Sequence, residues 1–232
     1  PPNVSFSAPE DGAYVRGDTE VKAAADDDDA VVKVRFLVDE GLLIEDVQVP
    51  WKAAWDTTEF DDGPHALGLV AYDTTDKSAS AQIEVIVDNT PPDLELLSPE
   101  EGAIQHDAIL LAADASDGME MDRVEFIVDD GEPDAITEEP WEVEYDGSEL
   151  IAGTHTVTVT AFDAAGNETE VQREFLVDRL PAVAILVPAP DATIPGLVMV
   201  QAEAADDVDL QGVALAVDGE WYGDLAVSRG TW

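Results

Sequence analysis

Asp27, Asp117 and Asp207 stand 90 positions apart, and other oxygen-bearing side chains gather at related places: Asp88 with Asn89, then Asp114, then Asp163 with Asn167, then Asp178, Asp206 and Asp209. What these residues share is oxygen donation. Carboxylates and amides make a hard ligand set suited to Ca²⁺, which takes about six to eight oxygens in a tolerant geometry, whereas Mg²⁺ keeps more water and a stricter octahedron. The chain has no cysteine, so thiolate metal sites and disulfides are excluded together. No segment carries EF-hand spacing either, because Asp114-Ala115-Ser116-Asp117-Gly118 stops short of its donor pattern. A calcium site in this chain must be assembled from residues far apart in the sequence.

The charge balance keeps a second reading open. Asp and Glu number 53 against 10 Lys and Arg, for a formal charge of -43. Nucleic acid and anionic membranes need a basic surface and are poor partners for such a chain. In a chain this acidic, carboxylates cluster without any ligand, and Asp is a common turn residue, so the same positions also read as solvated loop carboxylates. A surface adapted to high salt, where screening shortens self-repulsion, is compatible with either reading. The run Asp26 to Asp29, if ordered, needs compensation, because adjacent carboxylates raise one another's pKa. Disorder is disfavoured, since 45% of residues are hydrophobic and they alternate in strand-like runs.

The elements that must position these donors repeat. At a shift of 90, Pro9 answers to Pro99, Gly12 to Gly102, Val38-Asp39 to Val128-Asp129, Pro50-Trp51 to Pro140-Trp141, His65 to His155 and Asp73 to Asp163. The stretch Ile86 to Pro92 is a joint: its double proline fixes two φ angles and removes two donors, so one strand ends there and a new module begins. The modules run 1–90, 91–180 and 181–232, with the third incomplete. Within a module the period is two: Val32, Val34, Phe36 and Val38 share one face, while Lys33, Arg35 and Asp39 share the other. Leu94 to Ser98, Ile109 to Ala113, Trp141 to Tyr145, His155 to Phe162 and Val171 to Val177 are predicted strands, and no helix is evident. About seven short strands per module, separated by Gly, Pro, Asp and Asn, predict an all-β antiparallel sandwich.

The combination Pro-Pro, Ser-Pro-Glu-Glu-Gly, Val-Glu-Phe-Ile-Val-Asp, Glu-Pro-Trp, Gly-Thr-His-Thr-Val-Thr-Val-Thr-Ala-Phe-Asp-Ala-Ala-Gly-Asn and Val-Asp-Arg resembles the bacterial Ig-like repeat family across the first two modules and the first half of the third. Thr74-Thr75-Asp76-Lys77 departs from Ala164-Ala165-Gly166-Asn167, which puts that turn's geometry in question. In an Ig sandwich the chain start, the second-to-third loop and the late loop lie at one pole. That pole would bring Asp88 and Asn89 to Asp114, Asp117, Asp163 and Asn167, and at the next joint would bring Asp178 to Asp206, Asp207 and Asp209.

Other chemistry is poorly supported. His65 and His155 enter equivalent strands and read as capping or packing residues, and Asp56-Thr57-Thr58 and Asp73-Thr74-Thr75 lack the glycine of the aspartic protease signature. Trp51, Trp141 and the Trp55/Tyr145 pair recur and read as packing, whereas Trp221-Tyr222 has no counterpart and is the better candidate for a glycan contact. No signal peptide or membrane-length apolar run is present, and the abrupt ends suggest a piece of a longer polypeptide. The resemblance implies a non-enzymatic tandem stalk, adhesin or filament segment of a large extracellular or cell-surface protein, with neighbouring Ig-like domains, of the same or adjacent chains, as partners. The alternative it implies is an accessory glycan-binding module of a secreted enzyme.

Overall fold

In the computed structural model, which describes residues 1–207 and 210–225, each predicted strand is present with its ends shifted by a few residues. The first module comprises β1 (Asn3–Ala8), β2 (Tyr14–Val15), β3 (Asp18–Asp26), β4 (Val31–Val38), β5 (Gly41–Asp46), β6 (Lys52–Asp56), β7 (Gly63–Asp73) and β8 (Ser78–Val87). They form a three-stranded sheet, β1-β3-β6, facing a five-stranded sheet, β2-β8-β7-β4-β5. The second module comprises β9 (Asp93–Ser98), β10 (Ile104–Gln105), β11 (Ala108–Ser116), β12 (Met121–Val128), β13 (Asp134–Ile136), β14 (Glu142–Asp146), β15 (Gly153–Asp163) and β16 (Glu168–Val177), in the same two-sheet order. Apart from β13, every strand of the second module lies 90 positions after its counterpart. Pro133 precedes β13 and can donate no ladder hydrogen bond, in keeping with its shorter length.

Pairing is antiparallel with one exception in each module. β2 runs parallel to β8, and β10 parallel to β16. The first strand breaks at Pro9 or Pro99, turns through Gly12 or Gly102, and crosses to the other sheet still heading in its original direction, so it meets the last strand parallel. This crossing carries residues 14–17 to the pole where the next module begins.

Alternation puts the same face inward in both modules. Val34, Phe36 and Val38 of β4 meet Leu67 and Leu69 of β7 and Trp55 of β6; Val124, Phe126 and Val128 of β12 meet Val157, Val159 and Leu111. Each such side chain, fully buried, contributes roughly 1.5–3 kcal/mol. The two clusters share no residue, so each sandwich has its own core. Trp51 and Trp141 are buried, and the Trp141 indole Nε1 donates to the Ala115 carbonyl at 3.1 Å. The Thr74–Lys77 turn has the geometry of its counterpart: Asp73 N bonds Lys77 O and Asp163 N bonds Asn167 O, with Asp76 (φ 61°) and Gly166 (φ 86°) both left-handed. Short polar Asp tolerates that region better than most residues, which is why the sequence departure leaves the turn unchanged.

From residue 181 onward, β17 (Ala182–Val187) pairs with β18 (Gln201–Ala205), and β19 (Ala214–Val217) pairs with β20 (Glu220–Asp224). No described residue in this part is buried, and all six of β17 are exposed. Among the described residues no helix is long and apolar enough to cross a membrane.

Candidate functional site at the joint

The last strand of each sandwich ends in a linker whose backbone stays bonded to the module it leaves. Asp88 N–H donates to Val15 O at 3.0 Å, and Asp178 N–H donates to Gln105 O at 3.0 Å. Extended residues alternate in direction, so the next side chain turns back. Asn89 Oδ1 accepts from Gly17 N–H (3.0 Å) and Thr57 Oγ1 (2.8 Å), and its Nδ2 donates to Thr57 O (3.1 Å). Arg179, in the same column, donates to Asp107 and to the carbonyls of Gly147, Ser148 and Leu150. Thr90 donates its hydroxyl to Asp62 at 2.5 Å.

Asp88 therefore points forward. Its carboxyl lies with those of Asp117 and Asp163, one oxygen from each within 4.8 Å of the others. Asp88 and Asp163 are 1% and 2% exposed. Burial, with Asp117, Asp163 and Asp62 adding repulsion against the opposing Thr90 N–H, raises the Asp88 pKa above the usual carboxylate value. Its Oδ1 accepts from Thr90 N–H at 3.2 Å, while its Oδ2 is buried with no hydrogen-bond partner.

Asn167 organises this pole. Its N–H donates to Asp163 Oδ1 (2.8 Å), and its Nδ2 donates to Asp163 Oδ2 (2.7 Å) and Asp88 O (2.9 Å). Its Oδ1 accepts from Arg16 Nη1 of the first module at 3.4 Å. The two modules also meet through Tyr14, whose hydroxyl donates to Glu120 Oε2 at 2.8 Å. That bond, reinforced by burial, raises the Tyr14 pKa. Thr169 Oγ1 closes the linker by donating to Pro92 O at 2.6 Å.

Of the oxygen donors read from the sequence, the structure brings Asp88, Asp117 and Asp163 together at the first joint and Asp178, Asp206 and Asp207 at the second. Asn89 faces the first module. Asp114 still belongs to β11, exposed and in register with Glu95, because the strand runs on to Ser116 before the loop begins. Asn167 holds Asp163 rather than offering its carbonyl oxygen to the group. Asp209 lies outside the described residues. A third gathering, Asp27, Asp28 and Asp29, sits in the corresponding loop of the first module. Backbone hydrogen bonding from Asp29, which outweighs burial, and the Asp28 contact lower the Asp27 pKa. Tyr14, Arg16 and Glu120 are not evident from the sequence; for Arg16 the signal is that Arg16 and His106 share a column beside a joint, and His106 Nδ1 contacts Asp178 O at 2.8 Å.

The residues elsewhere that suggested catalysis serve as caps. Asp56 accepts from Thr58 N–H and Oγ1 at the start of a one-turn 3₁₀ helix, and Asp73 accepts from Thr75 N–H and Oγ1. His65 and His155 each sit between a carboxylate, Asp39 or Asp129, and a carbonyl, Asp61 or Ile151. Trp221 and Tyr222 are 69% and 75% exposed on β20.

The family model described as Bacterial Ig domain matches residues 2–68 and 92–159, and Bacterial Ig-like domain (group 3) matches 139–217. An uncharacterized Bacillus subtilis protein, YvnB, is 30% identical over 125 residues, which cover 54% of this chain and 9% of that protein. The chain thus spans less than a tenth of that relative's length. Among solved structures, the fibronectin(III)-like modules of Clostridium thermocellum CbhA share 24% identity at a TM-score of 0.57, covering 76% of this chain and 95% of theirs. The endo-beta-1,4-mannanase of Thermotoga petrophila shares 25% identity at a TM-score of 0.35, covering 39% of this chain and 20% of that one.

Proposed function

Because this chain belongs to the bacterial Ig-like domain family, we propose that it is a non-catalytic spacer segment of a longer extracellular or cell-surface protein, built to hold successive modules in a set orientation. Domains of this family occur in surface and secreted proteins. The observation that carries the reading is the linker Asp88–Pro92. It is bonded backward through Asp88 N–H, Asn89 and Thr90 and forward through Asp88 O and Pro92 O, and the modules touch directly at Tyr14–Glu120 and Arg16–Asn167. A flexible Gly/Ser tether would leave its backbone solvated and its ends free.

Small-angle scattering tests the orienting role. The chain is compared with a variant carrying a Gly-Ser-Gly-Ser insertion after Thr90. The spacer reading predicts a well-defined maximum dimension for the parent and a smeared distance distribution for the insertion. Indistinguishable curves would mean that the linker orients nothing.

A glycan-binding module of a secreted enzyme is the second reading, favoured by the exposure of Trp221 and Tyr222. Adjacent strand residues point to opposite faces, so these two rings do not form one flat platform. Titrating soluble polysaccharides against Trp fluorescence, with Trp221→Ala as control, decides it: a saturable change lost in the variant supports glycan binding, and none excludes it for the sugars tried. The flanking reading frame is a further discriminator, with more 90-residue units favouring the spacer and a catalytic domain favouring the accessory module.

A further inference from the structure

We propose that Asp88, Asp117 and Asp163 bind one divalent cation of the calcium class across the first joint, tying the linker of one module to two loops of the next. The inference goes beyond the spacer reading and does not depend on it. Three carboxylates meet with one oxygen each inside 4.8 Å, and two of them are almost wholly removed from water. Among the described residues no lysine or arginine forms an ion pair with any of the three. The decisive detail is that one oxygen of Asp88, Oδ2, is buried with no hydrogen-bond partner. A buried charged oxygen left unpaired is costly, and native proteins pair such groups or give them a metal.

One proton would neutralise only one of the three carboxyls. A divalent ion offsets two charges and takes the unpaired oxygen as ligand. The donors are oxygen only, which favours Ca²⁺ over transition metals, and carboxylates from three separate segments suit its irregular shell better than the strict octahedron of Mg²⁺. Asn167 supplies the supporting contacts: its two nitrogens hold both oxygens of Asp163, and each oxygen keeps a second lone pair for the ion. The second joint repeats the arrangement with Asp178, Asp206 and Asp207. The consequence is mechanical, because Asp88 is bonded through its backbone to Val15 of the first module while its carboxylate would share an ion with the second.

Amide-resolved NMR on the full 232-residue chain, titrated with CaCl₂ at ionic strength held constant with NaCl, tests this without reference to molecular shape. The expected result is saturable shifts at Asp88, Asp117, Asp163 and Asn167, with a dissociation constant of about 10⁻⁴–10⁻³ M, as in extracellular modules. MgCl₂ should bind more weakly. Asp88→Asn should weaken the Ca²⁺ response at this pole by about tenfold or more while the shifts around Asp178 persist as an internal control. Asp117→Asn, at a half-buried position, provides a second variant with less risk to folding and should weaken it likewise. Shifts that grow linearly and match NaCl alone, or a parent-like response in both variants, would overturn the proposal. Loss of the response with scattering curves unchanged would establish the site while denying it a mechanical role.

Discussion

The side-chain Nδ2 of Asn167 donates to the backbone carbonyl of Asp88 at 2.9 Å, so a late loop of the second sandwich closes on a linker residue whose own N–H is bonded to the first. Asn167 is 5% exposed and also holds Asp163. Its removal should therefore loosen the joint and leave the sandwiches folded. Asn167→Ala leaves acceptors unsatisfied in a buried place, at a cost of about 1–3 kcal/mol. Hydrogen exchange should show faster exchange near residues 86–92 and 163–169 and unchanged protection in β4 and β7. Global loss of protection would mean that Asn167 serves the second core instead of the joint.

Separate cores predict separate responses to damage. Leu111→Ala should cost the second module about 2–5 kcal/mol, because it opens a cavity in a fully buried site. Calorimetry should resolve one transition shifted down and one, from the first module, in place. A common shift of both would show that the joint couples the two folds.

The fold was largely readable because the apolar period of two and the 90-residue repeat are written in residue types that leave few alternatives. Val38-Asp39 and Val128-Asp129 illustrate this: the valine is core, and the aspartate takes a left-handed conformation (φ 48° and 52°) and accepts from the Ala66 or Thr156 N–H. The joint was only half readable. That Asp88, Asp117 and Asp163 share a pole follows from sandwich topology, but which way each side chain points depends on where a strand ends. Asn89 and Asp114 were misplaced for that reason, one turned back by alternation and the other retained in β11. Tyr14 and Glu120 break the repeat, so self-comparison passed over the very residues that distinguish a joint from a module.

The histidine pairs give the sandwiches a pH dependence. Burial pushes the His155 pKa down, but the Asp129 carboxylate at 2.7 Å and the Ile151 carbonyl at 2.8 Å outweigh it, and the pKa is raised. His65 is raised likewise, with Asp61 O and Asp39 outweighing burial. Stability from a raised histidine is fully present below its unfolded value of about 6.5 and is lost as pH rises through the higher folded value. The Asp129 and Asp39 carboxyls, which burial would raise, are instead depressed, chiefly by the His155 contact and the Ala66 N–H respectively; their share is present above about pH 3.9 and lost as pH falls through the folded value. Each pair is one interaction, counted once. Urea midpoints should peak between about pH 4 and 6.5 and fall as pH rises beyond that, and a His65→Gln, His155→Gln double variant should lack the fall on the alkaline side. An identical profile in the variant would contradict the assignment.

Exposure of all of β17 predicts weak protection in the third part of this chain. Val183, Ile185, Leu197 and Met199 are all largely exposed. Two two-stranded sheets with no buried residue among those described are marginal in water. Amides of 182–187 and 214–217 should exchange far faster than those of β12 and β15 in a demonstrated monomer, and equal protection would show that this part closes a core of its own.

The central claim, that the linker and its contacts fix the orientation of one module on the next, is tested most directly by a distance between spin labels. The chain lacks cysteine, so Leu42→Cys and Glu144→Cys, both at exposed positions, place one label on each module without background. Double electron–electron resonance should give one narrow distance distribution. The same pair combined with Tyr14→Phe, Arg16→Ala and Asn167→Ala should give a broad one. A broad distribution in the parent, unchanged by those three substitutions, would contradict the account.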